Sequence, residues 1–483
     1  MTNNPHHNRP ILWLITTTSL VLFCCSSLRH LLFQSNGFDL GIFDNGIYLI
    51  SRGLEPFVVF RGIHVFGDHA AWILYPIALL YCIFPSVYWL FGIQAITLAS
   101  GAFPTWLLAR NAGLKPSQAL AMAGVYLLYP LVFNVNLFDF HPEVIALPLF
   151  LTAILTARLK QVYNFTTAVI LILGCKAVLS LTVIALGVWL IGFEKRRTCG
   201  MIAVGLGIFW FLIATFVLIP HFSGAAPPAV GRYDALGNSV GEIARNLFLK
   251  PQIVLQQLFT LPNLEYLGLL ILPVIWGLSP RHLTPLICAI PTLALNLLSD
   301  SQQQKNLTQQ YSLPILPFLL LAVISALAAG SGRLKQARWM LLWSLIAFLA
   351  LAKYGYFWSR YLRHVDTVPA TREAVRLVTT DGGVLTADHI APHVTHRSVV
   401  MLATEGTALD DLNQFEYVLL NSQYPGWGSS PEFVMQLVNQ LNTMPEFEPI
   451  YQQNGVFLFH RLSLVSSESR ISLRNSSFIR RNF

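Results

Sequence analysis

The sequence predicts a mostly α fold: a polytopic transmembrane helix bundle of about eleven spans, followed by a small C-terminal α/β domain. Three observations predict it. The chain is 54% hydrophobic and 11% charged, against roughly 25% charged for soluble domains, so it carries more apolar surface than a water-soluble fold can hide. Long apolar runs recur from Ile11 to Gly355. From about Tyr356 the composition becomes that of an ordinary soluble domain.

A hydrocarbon core of about 30 Å needs roughly 20 apolar residues per helix. Spans are expected at 11–33, 87–109, 117–135, 143–160, 163–176, 177–193, 200–220, 265–280, 283–298, 313–329 and 339–355. Arg9 followed by the apolar run to Phe23 has the outline of a signal peptide, but no small-residue cleavage site follows, so it reads as a retained first span. The fifth and sixth spans are short and meet around Gly174 and Lys176, as a broken pair would. The apolar stretch from His69 to Phe84 is too short to span and reads as a helix lying at the interface.

Basic residues set the orientation, because cytoplasmic loops retain Lys and Arg. Arg9, Arg110 with Lys115, Arg158 with Lys160, the run Lys195 to Arg197, Arg281, and Arg333 with Lys335 and Arg338 fall on one side if alternate loops face the cytoplasm. This predicts a multi-pass membrane protein with the N-terminus cytoplasmic and the C-terminal domain extracytoplasmic. The net charge of +8 sits in those clusters rather than in one basic stripe, which argues for membrane lipids and against nucleic acid as partners. The six cysteines lie in or beside apolar segments without metal-site spacing and read as small buried residues.

The expected domains are 1–355 in the membrane, 356–462 soluble, and 463–483 a disordered Ser- and Arg-rich tail. Within the soluble domain the patterning predicts helices at 371–379 and 431–441 and strands at 383–387, 398–402, 417–420 and 456–459. His389, His393 and His396 invite a metal reading, but Pro392 and the adjacent strand break the helix that would align them, and they read as surface histidines. The domain is expected to pack over the outer loops.

Ionisable groups at membrane depth cost about 2.5–3.5 kcal/mol each, so those that remain are functional candidates. The loop after the first span carries Asp39 and Asp44 among Phe38, Leu40, Ile42 and Phe43, and continues to Asp68 and His69. A solvated turn explains the acids; so does a segment held against the bundle for chemistry. Asp68 with His69 has the makings of a carboxylate-oriented histidine or half a metal site. The next outer loop holds Asp139, His141, Pro142 and Glu143, where the dipole of the following helix favours carboxylates. A helix cap accounts for Asp139 but not for His141. Lys176 either snorkels or meets an anion such as a phosphate. Gln310 and Tyr311, before the tenth span, suit a hydroxyl-rich ligand or plain solvent.

The stretches FDLGIFDN, DFHPE, QQYSLPILPF and VLTADHIAPHVTHR together resemble the bacterial membrane family called domain of unknown function 2079, from about Phe38 to Leu462. That family in turn resembles the GT-C superfamily of membrane glycosyltransferases, which includes the dolichyl-phosphate-mannose mannosyltransferases and the aminoarabinose transferases. The resemblance implies a GT-C-like bundle that transfers a sugar from a polyprenyl phosphate to a glycan, lipid or protein acceptor with inversion. It implies Asp39 as catalytic base with Asp139 as the second catalytic carboxylate, and Asp139 and Glu143 binding acceptor, a divalent metal ion or both. Asp44, His141, Lys176, Gln310 and Tyr311 fall to substrate binding. One departure stands out: the chain reads Lys176, Ala177, Val178 where the family often shows Lys-Glu-Asp. It keeps a non-catalytic scaffold in view as the alternative, beside a lipid or solute transporter, for which neither two related halves nor midplane charges are evident.

Overall fold

The computed structural model describes residues 9–224, 228–407 and 409–462; the expected tail at 463–483 lies outside them. The described residues fall into two compact units, one within Met1–Leu28 and Ile63–Tyr356, the other within Arg29–Gly62 and Phe357–Phe483.

The first unit is helical, the form in which a chain satisfies its own backbone groups without water. Among the described residues, five helices are long and apolar enough to cross a membrane: Arg9–Leu31, Tyr88–Asn111, Arg197–Ser223, Gln310–Ala328 and Ala337–Leu362. Two bent pairs raise the number to seven: Pro116–Leu127 with Pro130–Asn136, and Pro251–Leu258 with Leu261–Gly277. Leu74–Ile83, Val162–Cys175, Leu179–Gly192 and Thr284–Leu297 are apolar but shorter. Each span expected from the sequence falls on a helical segment, and the differences are in length and continuity. Proline explains much of this. Pro130 opens the second half of the first bent pair, where it removes a backbone donor and clashes with the preceding turn.

Burial ranks the helices. Gln310–Ala328 is the central one, with 83% of its apolar window buried, whereas Arg9–Leu31 and Ala337–Leu362 reach only 17%. Its first turn, Gln310–Ile315, is a 3-10 turn, so Gln310 and Tyr311 open the central helix instead of ending a loop. Small residues set the closest approach, between Leu179–Gly192 and Arg197–Ile213. A Cβ on Gly200 would stand 2.7 Å from the carbonyl oxygen of Gly187, and one on Gly187 would stand 2.6 Å from that of Gly200. Helix pairs in lipid rely on such backbone approach because burying apolar surface gains little there.

Between Val162–Cys175 and Leu179–Gly192 the chain leaves the helix, with Lys176 extended at φ −165° and ψ 138°. The freed backbone groups are met from a neighbouring segment: Ile73 N–H donates to the Gly174 carbonyl at 3.0 Å, and Ala177 N–H donates to the His69 carbonyl at 2.9 Å. Gly174 is required here because a Cβ would stand 2.4 Å from the Trp72 ring.

The second unit is an α/β layer structure around five strands: β1 (Val384–Thr386), β2 (Val400–Leu402), β3 (Tyr417–Asn421), β4 (Phe447–Gln453) and β5 (Val456–Arg461). Their order is β2-β1-β3-β5-β4, parallel across the first three and antiparallel thereafter. Alternation sorts the side chains. Tyr417, Leu419, Val456 and Leu458 face the helix Val368–Leu377, while Val418, Leu420, Phe457 and Phe459 face the helix Pro431–Thr443. Strand β4 is absent from the sequence expectation because it is a largely exposed edge strand containing Pro449, which hides the two-residue period. The turn joining it to β5 has Asn454 and Gly455 at φ 47° and 74°, as an Asn-Gly hairpin requires.

Residues 29–62, expected within the membrane domain, pack with this unit. Gly37 N–H donates to Asp388 Oδ1 at 2.9 Å, and the Asn45 amide donates to the carbonyls of Thr395 and Arg397 at 2.7 and 2.9 Å. Of the three histidines expected at the surface, His389 is buried, and His393 and His396 are half-buried. His389 is 2% exposed and stacks on Tyr424 at 3.9 Å, His393 stacks on His30 at 3.9 Å, and His396 pairs with Asp44 at 3.2 Å. They point to three different partners and form no common metal site. Burial, with help from neighbouring histidine and arginine charges, lowers the imidazoles of His389 and His393 to about 3. Burial also acts against charging His396, but the Asp44 carboxylate outweighs it and raises that imidazole above its usual value.

Two predictions follow from these packings. Gly200→Leu should lower the Tm of the purified protein, at a cost of about 1–3 kcal/mol for overpacking, while Gly205→Leu, which meets open space, should not; differential scanning fluorimetry in detergent measures both. For pH, an unfolded histidine titrates near 6.5 whereas folded His389 resists protonation down to about 3, so acid favours the unfolded state. Between these values stability should fall with decreasing pH by up to about 1.4 kcal/mol per pH unit from this residue. His396 has the opposite sign: its contribution is complete below about 6.5 and fades as pH rises through its higher folded value. Hydrogen-exchange protection of β1 and β3 in the full chain reports both limbs, and His389→Phe should flatten the acid one.

Candidate functional site

In the membrane unit the site is built where helix Glu143–Arg158 begins, with Pro142 as its N-cap residue. Asp139 is 1% exposed and adopts φ 95°, a conformation that L-residues rarely hold and that collects at functional positions. His141 is turned back, with its Nδ1 3.5 Å from the Asp139 carbonyl oxygen and its ring stacked on Phe138 at 5.3 Å. Burial lowers the His141 imidazole to about 4, Glu143 opposing and Lys176 and His69 reinforcing the shift.

Glu143 is 4% exposed. Its Oε1 accepts from Lys176 Nζ at 2.5 Å, while its Oε2 has no hydrogen-bond partner among the described residues. Leaving the helix at Lys176 is what frees that side chain to reach Glu143 across the bundle. The ammonium also stands 5.6 Å from the centroid of the Tyr311 ring, and the guanidinium carbon of Arg232 stands 5.4 Å from the same centroid. Two cations therefore converge on one phenol, and only one of them is neutralised by Glu143. Gln310, next to Tyr311, is 3% exposed and its Oε1 is without a partner among the described residues.

Asp68 and His69 join this group. The His69 Nδ1 lies 2.8 Å from Asp68 Oδ2, and His69 acts on the charge of both His141 and Glu143. Among the described residues no set of three or more His, Cys, Asp or Glu side chains is arranged to hold a metal ion. Where the resembled pattern has a carboxylate, Ala177 is buried with Ala70, Ala214 and Ile219.

The other candidates lie in the second unit. Asp39 sits in the turn Gly37–Gly41, half-buried, with the Asn36 amide donating to its Oδ2 at 3.3 Å. Asp44, 1% exposed, accepts from the Thr395 hydroxyl and pairs with His396, which occupies it with its own unit. Arg232 was not among the sequence candidates. It ends the 3-10 turn Pro228–Arg232, in a stretch of chain that also carries Arg245 and Lys250, and only the fold distinguishes it by bringing it to Tyr311.

The Glu143–Lys176 pair carries a stability prediction. Lys176→Met should cost about 3–5 kcal/mol by stranding a buried carboxylate, and adding Glu143→Gln should restore most of the loss in Tm.

Three comparisons bear on this arrangement. The family described as "Predicted membrane protein (DUF2079)" matches residues 29–458. No curated protein matches the sequence. Among solved structures, the crystal structure of ArnT from Cupriavidus metallidurans bound to undecaprenyl phosphate is similar, at 11% identity and TM-score 0.57, over 94% of this chain and 98% of that one. The apo state of the same protein aligns at 11% identity and TM-score 0.45, over 93% and 98%. The likeness to the undecaprenyl-phosphate-bound structure gives the fold as that of ArnT, a GT-C glycosyltransferase, and the family match establishes that this chain belongs to the DUF2079 family of predicted membrane proteins.

Proposed function

We propose that this protein is a glycosyltransferase of the bacterial inner membrane that moves a sugar from a polyprenyl phosphate to a cell-envelope acceptor, with inversion at the anomeric carbon. The observation that carries the reading is the pairing of Lys176 and Arg232 over Tyr311 beside Glu143. With Glu143 ionised, these three side chains sum to one positive charge, which suits the single negative charge of a phosphodiester-linked sugar. As the glycosidic bond breaks, the departing polyprenyl phosphate gains a second negative charge. The two cations thus bind the product side of the reaction more strongly than the ground state, which is the kind of interaction that lowers a barrier. The shared fold with a structure bound to undecaprenyl phosphate supports the same donor class.

In this reading a carboxylate removes the proton of an acceptor hydroxyl, whose oxygen attacks the anomeric carbon while the phosphate departs. The phosphate needs little protonation, so one general base suffices. Asp39 is the proposed base, with Asn36 orienting its carboxylate. Asp139 is the second proposed catalytic carboxylate, and its strained backbone fixes its direction. His141, Glu143, Gln310 and Tyr311 form the proposed polar lining for the sugar phosphate.

The test is turnover in lipid nanodiscs, with polyprenyl-phosphate sugars and cell-envelope acceptors supplied and release of polyprenyl phosphate followed by mass spectrometry. Asp39→Asn should abolish release. Arg232→Gln should lower kcat/KM by roughly 10- to 100-fold, the usual consequence of losing one charged hydrogen bond of about 1.5–3 kcal/mol. Release that is unchanged in Arg232→Gln removes the cation pair from the mechanism. A folded wild-type protein that turns over no donor in a broad panel contradicts the proposal.

A further inference from the structure

A cavity of about 270 Å³ lies in the membrane unit, and neither Lys176, Arg232 nor Tyr311 lines it. Its walls come from the bend before Pro130, the helix Leu261–Ile271, the loop around Lys305 and the end of the helix Ala337–Leu351. Hydrogen bonds hold these walls together. Asn134, 3% exposed, donates to the carbonyls of Leu307 and Leu351, both at 3.3 Å, and accepts from the Lys353 backbone N–H at 2.8 Å. The Tyr129 hydroxyl donates to the Leu270 carbonyl.

The charged groups lining this braced cavity are treated differently. Lys305, Lys353 and Glu265 are all among its lining residues, and none of their charged groups makes a hydrogen bond or ion pair among the described residues. Asp300 acts on Lys305 only from beyond contact distance. A protein that spends its amides on joining the walls and leaves two lysines and one glutamate facing the same small space has charge to offer a ligand. The lining also includes Leu131, Leu269 and Leu351, and the helices that supply the last two carry exposed leucines at Leu261, Leu264 and Leu349.

We propose that this cavity binds a phosphate ester that bears free hydroxyls, the phosphate taken by Lys305 and Lys353 and a hydroxyl donating to Glu265. The volume falls just below the 300–1,000 Å³ range typical of pockets for drug-sized ligands, so it accommodates a headgroup of glycerol-phosphate size and not a whole lipid. That chemistry has two sources, the headgroup of an anionic glycerolipid and a soluble polyol phosphate. The site does not depend on the catalytic reading of Lys176 and Arg232, and its test does not use turnover.

Amine-reactive footprinting of the full chain, read by peptide mass spectrometry, tests the assignment in three arms: nanodiscs of phosphatidylcholine alone, the same with phosphatidylglycerol, and the first with added glycerol 3-phosphate. Labelling of Lys305 and Lys353 should fall together, while Lys250, which does not line the cavity, stays unchanged. Protection in the phosphatidylglycerol arm alone identifies a lipid headgroup; protection in both identifies the polyol phosphate itself. Equal labelling in all arms overturns the proposal, as does equal protection of Lys250, which is mere surface charge. The double variant Lys305→Gln with Lys353→Gln should retain the wild-type Tm and weaken binding of the protecting ligand by roughly 10- to 100-fold or more, the usual range for losing one charged hydrogen bond; unchanged affinity also overturns it.

Discussion

A helix that stops inside an apolar bundle leaves carbonyl and amide groups that no solvent can satisfy. The break from Cys175 to Val178 meets this constraint with a segment brought from elsewhere in the chain. Ile73 and His69 supply the donor and acceptor that the interrupted ladder lacks, and Trp72 lies against Gly174 so closely that no side chain fits there. Once the backbone is settled, Lys176 is held out of the helix and meets Glu143. His69, carried by the same supporting segment, then acts on the charge of His141 and Glu143. The polar site is therefore a consequence of how the break is closed.

The break also explains the departure from the Lys-Glu-Asp pattern. Ala177 donates its N–H to His69 and turns its methyl into the company of Ala70, Ala214 and Ile219. A carboxylate there would have to displace these apolar contacts and lose its water, a cost that the methyl group of Ala177 avoids. Here the balancing carboxylate for Lys176 comes from Glu143, which lies 33 residues away in the chain. Charge neutrality at the break is thus achieved across helices rather than within one motif.

The second unit follows a different rule. Its sheet sorts side chains by strand alternation onto two helices, and its polar interior is built of stacked rings. His364 and His389 stack on Tyr424 from separate elements, and His393 stacks on His30. The imidazoles of His389 and His393 are at home only when neutral, which ties the unit's stability to pH through burial. Asp44 and His396 form the charged exception and carry the opposite pH dependence.

Composition and period determined much of this on their own. Apolar runs placed a helical segment under each expected span, because a segment without charges has few alternatives in a chain this hydrophobic, but they did not show Pro251–Leu258, the first half of a bent pair, or how few of the segments are long enough to cross. Alternation placed four of the five sheet strands, and only β4 escaped, an edge strand whose exposed faces have no reason to alternate. The Asn454-Gly455 turn was a legible sign that it should be there. His141, Glu143, Lys176 and Tyr311 were also legible singly, since polar groups beside apolar runs are costly enough to stand out. Their convergence was not, and neither was Arg232, because charge in a loop carries no information about what the loop will face. The assignment of residues 29–62 to the C-terminal unit was equally beyond the sequence. Local pattern registers the cost of each residue in its own segment, whereas partners such as Asp44 with His396, 352 positions apart, are chosen only when tertiary packing decides which buried groups must satisfy one another.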